Sequence, residues 1–244
     1  KILNIGDSIG KQFYSVLGWT LIWAVFATAL NYIFGMILAI IINRKETRAK
    51  GFWRFCFVLS IAVPQFVSLL IMRSMLQPTG IVNTLLMKYG IIDTALPFFT
   101  KAMWARVTVI VINLWVGIPY TILQVTGILQ NIPGELYEAA KIDGCSTWGT
   151  LWRIIFPIAA PGVFTTAIMT FISAWNEYLL SCTMNSNESI QTVPVRIGYL
   201  RGQYTIYWNQ IAAAAVVVVI PTLVMVLLFQ KQIVAGIANG AVKE

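Results

Sequence analysis

Long stretches without a single charged residue constrain this chain more than any other feature. No Asp, Glu, Lys or Arg occurs between Lys11 and Arg44, or from Val107 to Gly134. A helix of about 20 predominantly apolar residues crosses the hydrocarbon core of a bilayer. Charged residues make up 11% of the chain, whereas soluble domains carry about 25%. The sequence therefore predicts an all-α polytopic membrane protein.

Five segments are long and apolar enough to be spans, at about residues 13–42, 54–76, 104–130, 158–181 and 208–234. Their apolar residues run continuously and do not alternate, which disfavours a β-barrel. We expect one membrane domain over 1–244. The chain begins with Lys1 and not with Met, so we also expect it to be truncated at its N-terminus.

The distribution of basic residues predicts the orientation of these spans. The connection 43–54 holds five Lys and Arg residues against one Glu, and such clusters stay on the cytoplasmic side. Alternation then places 131–157 and the tail 235–244 inside, and 77–103 and 182–207 outside. The outer connection 77–103 is amphipathic, which is typical either of an interfacial helix or of a contact surface for an external protein.

The connection 131–157 has the composition of a surface that a partner grips. Its sequence from residue 138 reads EAAKIDGCSTWGTLWRIIFP. Carboxylates in the first turn of a helix offset the positive end of its dipole, small residues admit a close neighbour, and glycine permits a sharp turn. The residues concerned are Glu135, Glu138, Ala139, Ala140, Asp143 and Gly144.

This pattern resembles the EAA signature of permease subunits in ATP-driven, binding-protein-dependent importers. The resemblance implies the type I transmembrane fold of ABC importers, in which this loop forms a coupling helix that docks on an ATPase subunit. The six residues above would then be ATPase-coupling residues. One position differs from the family pattern, because Phe156 replaces the usual Leu before Pro157.

The tail 235–244 resembles the C-terminal tail of the maltose-type permease subunit that reaches into the ATPase dimer, which adds Gly240 and Lys243 to the coupling residues. The segments 42–54 and 63–66 instead resemble the partner permease of such systems, so the sequence leaves open which paralogue this is. The maltose-type resemblance also implies a sugar or oligosaccharide as the substrate.

The same resemblance implies the partners and the location. They are a second permease subunit, two ATPase subunits, an extracellular solute-binding protein and the lipid bilayer, in the cytoplasmic membrane of a bacterium or archaeon. The chain has no GxxxxGK[ST] run, so ATP and Mg²⁺ belong to the ATPase. We expect no cofactor on this chain, no catalytic residue and no nucleic-acid partner.

Polar residues inside the spans are costly and usually face the interior of a helix bundle. The candidates for a substrate path are Asn113, Gln124, Trp175, Asn176, Glu177 and Tyr178. Aromatic faces, amides and carboxylates are the groups that a sugar site needs. The same side chains could instead form hydrogen bonds between helices, and the sequence does not separate these two uses.

Two other functions fit the composition less well. An ion-coupled secondary transporter needs ionisable residues within its spans, and Glu177 is the only good candidate. A membrane anchor subunit without transport activity is the other alternative. The chain has no histidine, and Cys56, Cys145 and Cys182 lack metal-binding spacing, so neither a metal site nor a disulfide framework is indicated.

The predicted orientation puts Lys1 outside and Glu244 inside, and cysteine labelling tests it. In a variant with the three native cysteines replaced, an impermeant thiol reagent added from outside should label a cysteine at position 90 or 187. It should not label one at position 48 or 239. The opposite pattern would invert the topology and place the EAA segment outside.

Overall fold

The computed structural model describes residues 8–44, 46–185, 188–202 and 205–241, and regular structure in these ranges is helical apart from one isolated bridge between Arg201 and Ile206. The α-helices found there are α1 Ser8–Asn43, α2 Lys50–Ala62, α3 Gln65–Leu76, α4 Ile81–Lys88, α5 Ala102–Gln130, α6 Gly134–Ile142, α7 Thr147–Thr150, α8 Phe156–Trp175, α9 Leu179–Met184, α10 Val193–Gly198 and α11 Trp208–Ala241. A π-helical turn covers Leu151–Ile155, and a 3-10 turn covers Glu188–Ile190. The predicted all-α class is confirmed.

Four helical stretches in the described residues are long and apolar enough to cross a membrane. They are Gly10–Asn43, Ala102–Gln130, Leu151–Met184 and Trp208–Val234, and each lies over one of the predicted spans. A fifth crossing is possible if a bent pair of helices counts as one span.

The bent pair occupies the second predicted span, 54–76, which is therefore not one straight helix. Helix α2 meets the stretch Gln65–Lys88 at 87°. The cause is Pro64, which has no N–H to donate and whose ring clashes with the carbonyl one turn earlier. Proline also disfavours a helical conformation in the residue before it, and Val63 is extended at φ −73°, ψ 125°.

Helices α1 and α5 run parallel and form the centre of the bundle. Their N-terminal halves share one buried cluster that contains Trp23 and Val109, and their C-terminal halves share a second that contains Ile42 and Val125. Two glycines let the backbones approach closely. A Cβ added to Gly35 would lie 2.7 Å from Cγ2 of Thr121, and one added to Gly117 would lie 2.7 Å from Oδ1 of Asn31.

Helix α8 runs antiparallel to this pair, and α11 runs antiparallel to α8. Val163 and Ala167 of α8 pack on the second cluster, whereas Ala174 packs on the first. Thr165 donates to the carbonyl of Gln232 at 2.8 Å, and Trp175 donates through Nε1 to the carbonyl of Val218 at 3.0 Å. Such side-chain donors to a neighbouring backbone are common at helix–helix contacts in membranes.

The bundle has two ends, which carry different connections. The connector end contains the α1–α2 loop and the α5–α8 connection. They lie together because Asn43, the last residue of α1, donates through Nδ2 to Thr126 Oγ1 near the end of α5 at 2.9 Å. Arg54 of α2 donates to Asn43 Oδ1 at 2.6 Å. At the far end, Arg73 of α3 donates to the carbonyl of Thr183. The α2–α3 pair thus joins the two ends despite its bend, and the basic loop and the EAA segment share one end, as the predicted topology requires.

The close contact of α1 and α5 makes a testable prediction. Replacing Gly35 by Ala should destabilise the bundle by about 1–3 kcal/mol, because a methyl group would be forced into Thr121. Gly18 lies on the same helix with nothing within 4 Å of an added Cβ, so Gly18→Ala is the matched control. Thermal unfolding in detergent should show a lower midpoint for Gly35→Ala alone; equal midpoints would contradict the close contact.

Candidate functional site

Helix α6 is held on the connector end of the bundle by one face. Leu136 packs on a cluster of Ile132, Ile155 and Ala159, and Ala140 is only 1% exposed. Leu136 and Ala140 are four residues apart, and that spacing puts them on the same side of a helix. This buried face fixes the position of α6 against its own chain.

The opposite face of α6 is exposed and carries three of the predicted coupling residues, Glu135, Glu138 and Ala139. Glu135, Glu138, Ala139 and Ile142 follow the i, i+3, i+4, i+7 spacing of one helix face, and all four are exposed, as is Asp143. The sequence predicted that both alanines admit a partner. Ala140 does not, because its small side chain lets α6 lie against its own bundle.

A tight turn follows α6 directly. Gly144 has φ +72°, the left-handed conformation that glycine adopts readily. The N–H of Cys145 donates to the carbonyl of Ala140, and the N–H of Asp143 to that of Ala139, both at 2.9 Å. The bond from Cys145 to Ala140 has the 6→1 spacing of a Schellman motif, so the predicted turn at Gly144 ends the helix and satisfies the carbonyls of Ala139 and Ala140.

Beyond the turn, the chain enters one continuous helical run that ends at Trp175. Ser146 begins it, since its Oγ accepts from the N–H of Gly149 at 3.1 Å, the geometry of an N-cap. The run passes through the π-helical turn Leu151–Ile155, where the N–H of Phe156 donates to the carbonyl of Leu151. Pro157 follows and has no backbone N–H to donate. This accounts for the local change from the α-helical bond between residues four apart to the π-helical bond between residues five apart.

The C-terminal tail is described only in part. The backbone of α11 continues as helix to Ala241 and so includes Gly240, whereas Lys243 lies outside the described residues. For the predicted coupling residues of the tail, the structure therefore shows only that the backbone at Gly240 is helical.

The predicted path residues at the end of α8 serve different purposes. Trp175 is fully buried and holds α8 to α11 through its bond to Val218. Trp23 of α1 also donates to this helix end, at the carbonyl of Ala174 and 3.1 Å. Trp175 is therefore a packing residue and does not share a surface with its neighbour Asn176, which is exposed.

A break in the fourth predicted span, 158–181, separates α8 from α9. The Glu177 carboxylate accepts from the N–H of Leu180 at 2.7 Å and so caps α9. The Glu177 carbonyl accepts from the hydroxyl of Thr192 at 2.7 Å. Asn176 bonds only its own helix, at the carbonyl of Ile172 and 2.9 Å, and Tyr178 is 49% exposed. Asn176 and Tyr178 remain available to a solute, whereas Glu177 is a structural cap.

The other two path candidates lie on α5, together with an aromatic residue that sequence reasoning missed. Asn113, Tyr120 and Gln124 are seven and four residues apart and so share one helix face. Gln124 and Tyr120 are exposed, and the buried Nδ2 of Asn113 has no hydrogen-bond partner among the described residues. This α5 stripe, defined as Asn113, Tyr120 and Gln124, joins amides with an aromatic ring.

A small recess adjoins the α5 stripe at the bend between α2 and α3. Besides Tyr120, it is lined by Trp115 of α5 and by the polar side chains of Ser60, Gln65 and Ser68. In the sequence, Pro64 marks the position of this recess. It breaks the span between Ser60 of α2 and Gln65 of α3, and both of these residues line the recess.

Two further polar contacts at the far end had no signal in the sequence. Asn83 of α4 is fully buried, and its Oδ1 accepts from the N–H of Leu96 at 2.8 Å, which closes the connection 77–103 on itself. The guanidinium of Arg106 lies 4.9 Å from the centre of the Trp19 ring, a cation–π contact. Both contacts need partners that are distant in the sequence.

Within the described ranges, no group of three or more Cys, Asp and Glu side chains is placed to hold an ion. Burial raises the pKa of the Tyr137 hydroxyl on α6, so this group is neutral at physiological pH and can donate a hydrogen bond.

Residues 31–239 match the family model described as "Binding-protein-dependent transport system inner membrane component". Among curated relatives, the sulfoquinovosyl glycerol transport system permease protein SmoH of Agrobacterium fabrum is 37% identical over 54% of this chain and 50% of its own length. The galactooligosaccharides transport system permease protein GanP of Bacillus subtilis is 38% identical over 69% of this chain and 40% of its own. The chain thus spans half or less of these relatives.

A longer match is the trehalose transport system permease protein SugB of Mycobacterium tuberculosis, 32% identical over 98% of this chain and 78% of that protein. Among solved structures, a chain of a bacterial ABC transporter that imports the polysaccharide alginate superposes with a TM-score of 0.80 at 20% identity, covering 98% of this chain and 82% of that one. An amino acid ABC transporter gives a TM-score of 0.63 at 16% identity. These likenesses identify the fold as that of ABC importer transmembrane subunits.

The different surroundings of Trp175 and Asn176 predict different effects of truncation. Trp175→Ala should destabilise the protein by about 3–5 kcal/mol, because it empties a buried site between helices. Asn176→Ala should leave the thermal unfolding midpoint nearly unchanged, because the side chain is exposed. If Asn176 contacts the solute, uptake per folded molecule should fall in this variant alone. A stable Trp175→Ala protein would contradict the packing role.

Proposed function

This chain belongs to the family of binding-protein-dependent transport system inner membrane components, and we propose that it is a permease subunit of an ATP-driven importer for a sugar or oligosaccharide. The chain is a multi-pass membrane protein. Its proposed place is the cytoplasmic membrane of a bacterium or archaeon, where it forms a translocation path together with a second permease subunit.

The carbohydrate substrate is supported by the relatives and by the α5 stripe. The three relatives above are named for the transport of a sulfoquinovosyl glycerol, galactooligosaccharides and trehalose. On this chain, the α5 stripe offers amide groups for hydroxyls and an aromatic face for the C–H side of a sugar ring. The recess at the Pro64 bend adds two serine hydroxyls and the Gln65 amide beside it.

The exposed face of α6 is the observation that carries the proposal. It is a short helix that stands outside the long apolar helices, is fixed to the bundle by Leu136 and Ala140, and turns Glu135, Glu138 and Ala139 outward. Lipid tails cannot solvate carboxylates, so this face meets water or a protein. We assign it to an ATPase subunit, which would bind ATP and Mg²⁺ and perform the hydrolysis.

Surfaces that the chain leaves uncovered support the remaining proposed partners. No described residue of α2 is buried, and only 6% of the apolar stretch that makes α11 a candidate span is buried within the chain. Lipid and a second permease would cover these surfaces. The solute-binding protein would dock at the far end, where the connection 77–103 is closed by Asn83.

The proposal predicts that the turn after α6 is needed for coupling and not for insertion. Proline holds φ near −65°, whereas Gly144 has φ +72°, so Gly144→Pro should misplace α6 relative to α7. Without this turn, substrate-stimulated ATPase activity of the reconstituted complex should fall about tenfold or more. The amount of chain inserted in the membrane should not change.

Gly134→Ala is the matched control in the same connection, because nothing lies within 4 Å of an added Cβ there. It should keep normal stimulation of the ATPase. Gly144→Asn should be intermediate, since Asn tolerates the left-handed region better than other residues with a side chain. Normal stimulated activity in Gly144→Pro would overturn the coupling role of α6.

A further inference from the structure

Helix α2 has two sides of different chemistry, and one of them faces α1. Lys50 donates to the Asn43 carbonyl at 3.4 Å, and Arg54, one turn later, donates to Asn43 Oδ1 at 2.6 Å. Phe57 continues this side and packs on the second buried cluster. A cation is favourable at the C-terminus of a helix, so these two basic side chains are accounted for by the end of α1.

The other side of α2 is an exposed apolar stripe. Phe52, Phe55 and Leu59 have the i, i+3, i+7 spacing of one helix face and are 60%, 61% and 53% exposed. Trp53, whose ring meets that of Phe52 edge to face, is exposed as well. Aromatic side chains are typical of the depth at which the hydrocarbon of a bilayer meets its headgroups. The stripe runs for about 10 Å along the helix.

Two arginines precede the aromatic end of this stripe. Arg44 and Arg48 are exposed, and neither forms an ion pair with a residue that the structure describes, Glu46 included. Their backbone has a defined shape, because the N–H of Thr47 donates to the Arg44 carbonyl at 3.2 Å and Ala49 adopts a left-handed φ of +55°. The α1–α2 loop therefore carries uncompensated positive charge at a fixed turn beside an apolar face.

We propose that these five residues, Arg44, Arg48, Phe52, Phe55 and Leu59, form a binding site for one anionic phospholipid, named here the α2 lipid site. The two guanidinium groups bind the phosphate, whose oxygens match their paired donors, and an acyl chain lies along the stripe. The excess of positive charge selects a lipid with net negative charge over a zwitterionic one. This inference goes beyond the proposed transport function.

A lipid fits both halves of the site at once. Helix α2 belongs to the bent pair that can form a fifth crossing, so its exposed stripe lies against hydrocarbon. The loop at the start of the helix then lies at the level of the headgroups. A protein that docks from the aqueous side would meet the arginines and would leave the stripe uncovered.

The test measures lipid binding directly. Fluorescently labelled phosphatidylglycerol is titrated into the purified full-length protein in detergent, and phosphatidylcholine with the same acyl chains is the comparison. The natural chain should bind phosphatidylglycerol more tightly, and this preference should fall as ionic strength rises. The double variant Arg44→Gln, Arg48→Gln should bind phosphatidylglycerol about tenfold or more weakly, since each cation near an anionic headgroup contributes about fivefold. Its binding of phosphatidylcholine should not change.

The matched control is the double variant Lys88→Gln, Lys101→Gln. It removes the same charge from two exposed side chains at the far end and should keep the natural preference for phosphatidylglycerol. Both double variants should unfold at the natural midpoint, because all four side chains are exposed. Equal loss of the preference in both would show an effect of net charge alone and would overturn the site.

The apolar half has its own variant. Phe55→Ser should weaken binding of long-chain phosphatidylglycerol several-fold, because it removes part of the surface against which an acyl chain lies. Binding of phosphatidylglycerol with six-carbon chains should weaken less. An equal effect on both lipids would contradict the placement of the acyl chain.

Two further measurements decide what occupies the arginines. Excess inorganic phosphate should not displace the labelled lipid, and displacement would identify a site for free phosphate instead. If the double arginine variant keeps the lipid preference but loses binding of the purified ATPase subunit, the surface is a protein contact and the lipid site is overturned. The lipid titrations do not involve transport, so their outcome is independent of the proposed sugar substrate.

Discussion

The close approach of α1 and α5 is the contact on which the rest of the bundle depends. Lipid is as apolar as a leucine side chain, so helices in a membrane associate through close packing and hydrogen bonds and not through the hydrophobic effect. Gly35 against Thr121 and Gly117 against Asn31 bring the two backbones together. Both buried clusters form along this pair, and α8 and the α9–α10 segment pack onto it.

Hydropathy and charge predicted the long helices well, because the stretch from Lys11 to Arg44 can adopt few other structures without water. The 87° bend was only partly foreseeable. Pro64 marks its position, but prolines 119 and 221 lie inside α5 and α11 without ending them. The break after Trp175 lies at Asn176 and Glu177, the polar residues that interrupt the fourth apolar stretch, and the Glu177 carbonyl there accepts from the hydroxyl of Thr192.

The candidate site was predicted best where local geometry decides the outcome. The turn at Gly144 needs a left-handed residue, and the exposed spacing of Glu135, Glu138 and Ala139 follows from helix periodicity. The burial of Ala140 and of Trp175 could not be read from the sequence in the same way. An alanine fits a partner's surface or its own bundle equally well, and an amphipathic tryptophan suits a sugar or a helix. Only the neighbours, Leu136's cluster and the Val218 carbonyl, decide between them.

The uninterrupted helical run from Thr147 to Trp175 makes a lever of about 40 Å at the rise of an α-helix. One end of this lever leaves the turn at Gly144, and the other end is fastened to α11 and α1 by two tryptophan hydrogen bonds. The π-helical turn keeps the helix hydrogen-bonded next to Pro157, which itself has no N–H to donate. A small tilt imposed on this helix beside the connector is therefore transmitted along its length to the two tryptophan contacts at the opposite end of the bundle.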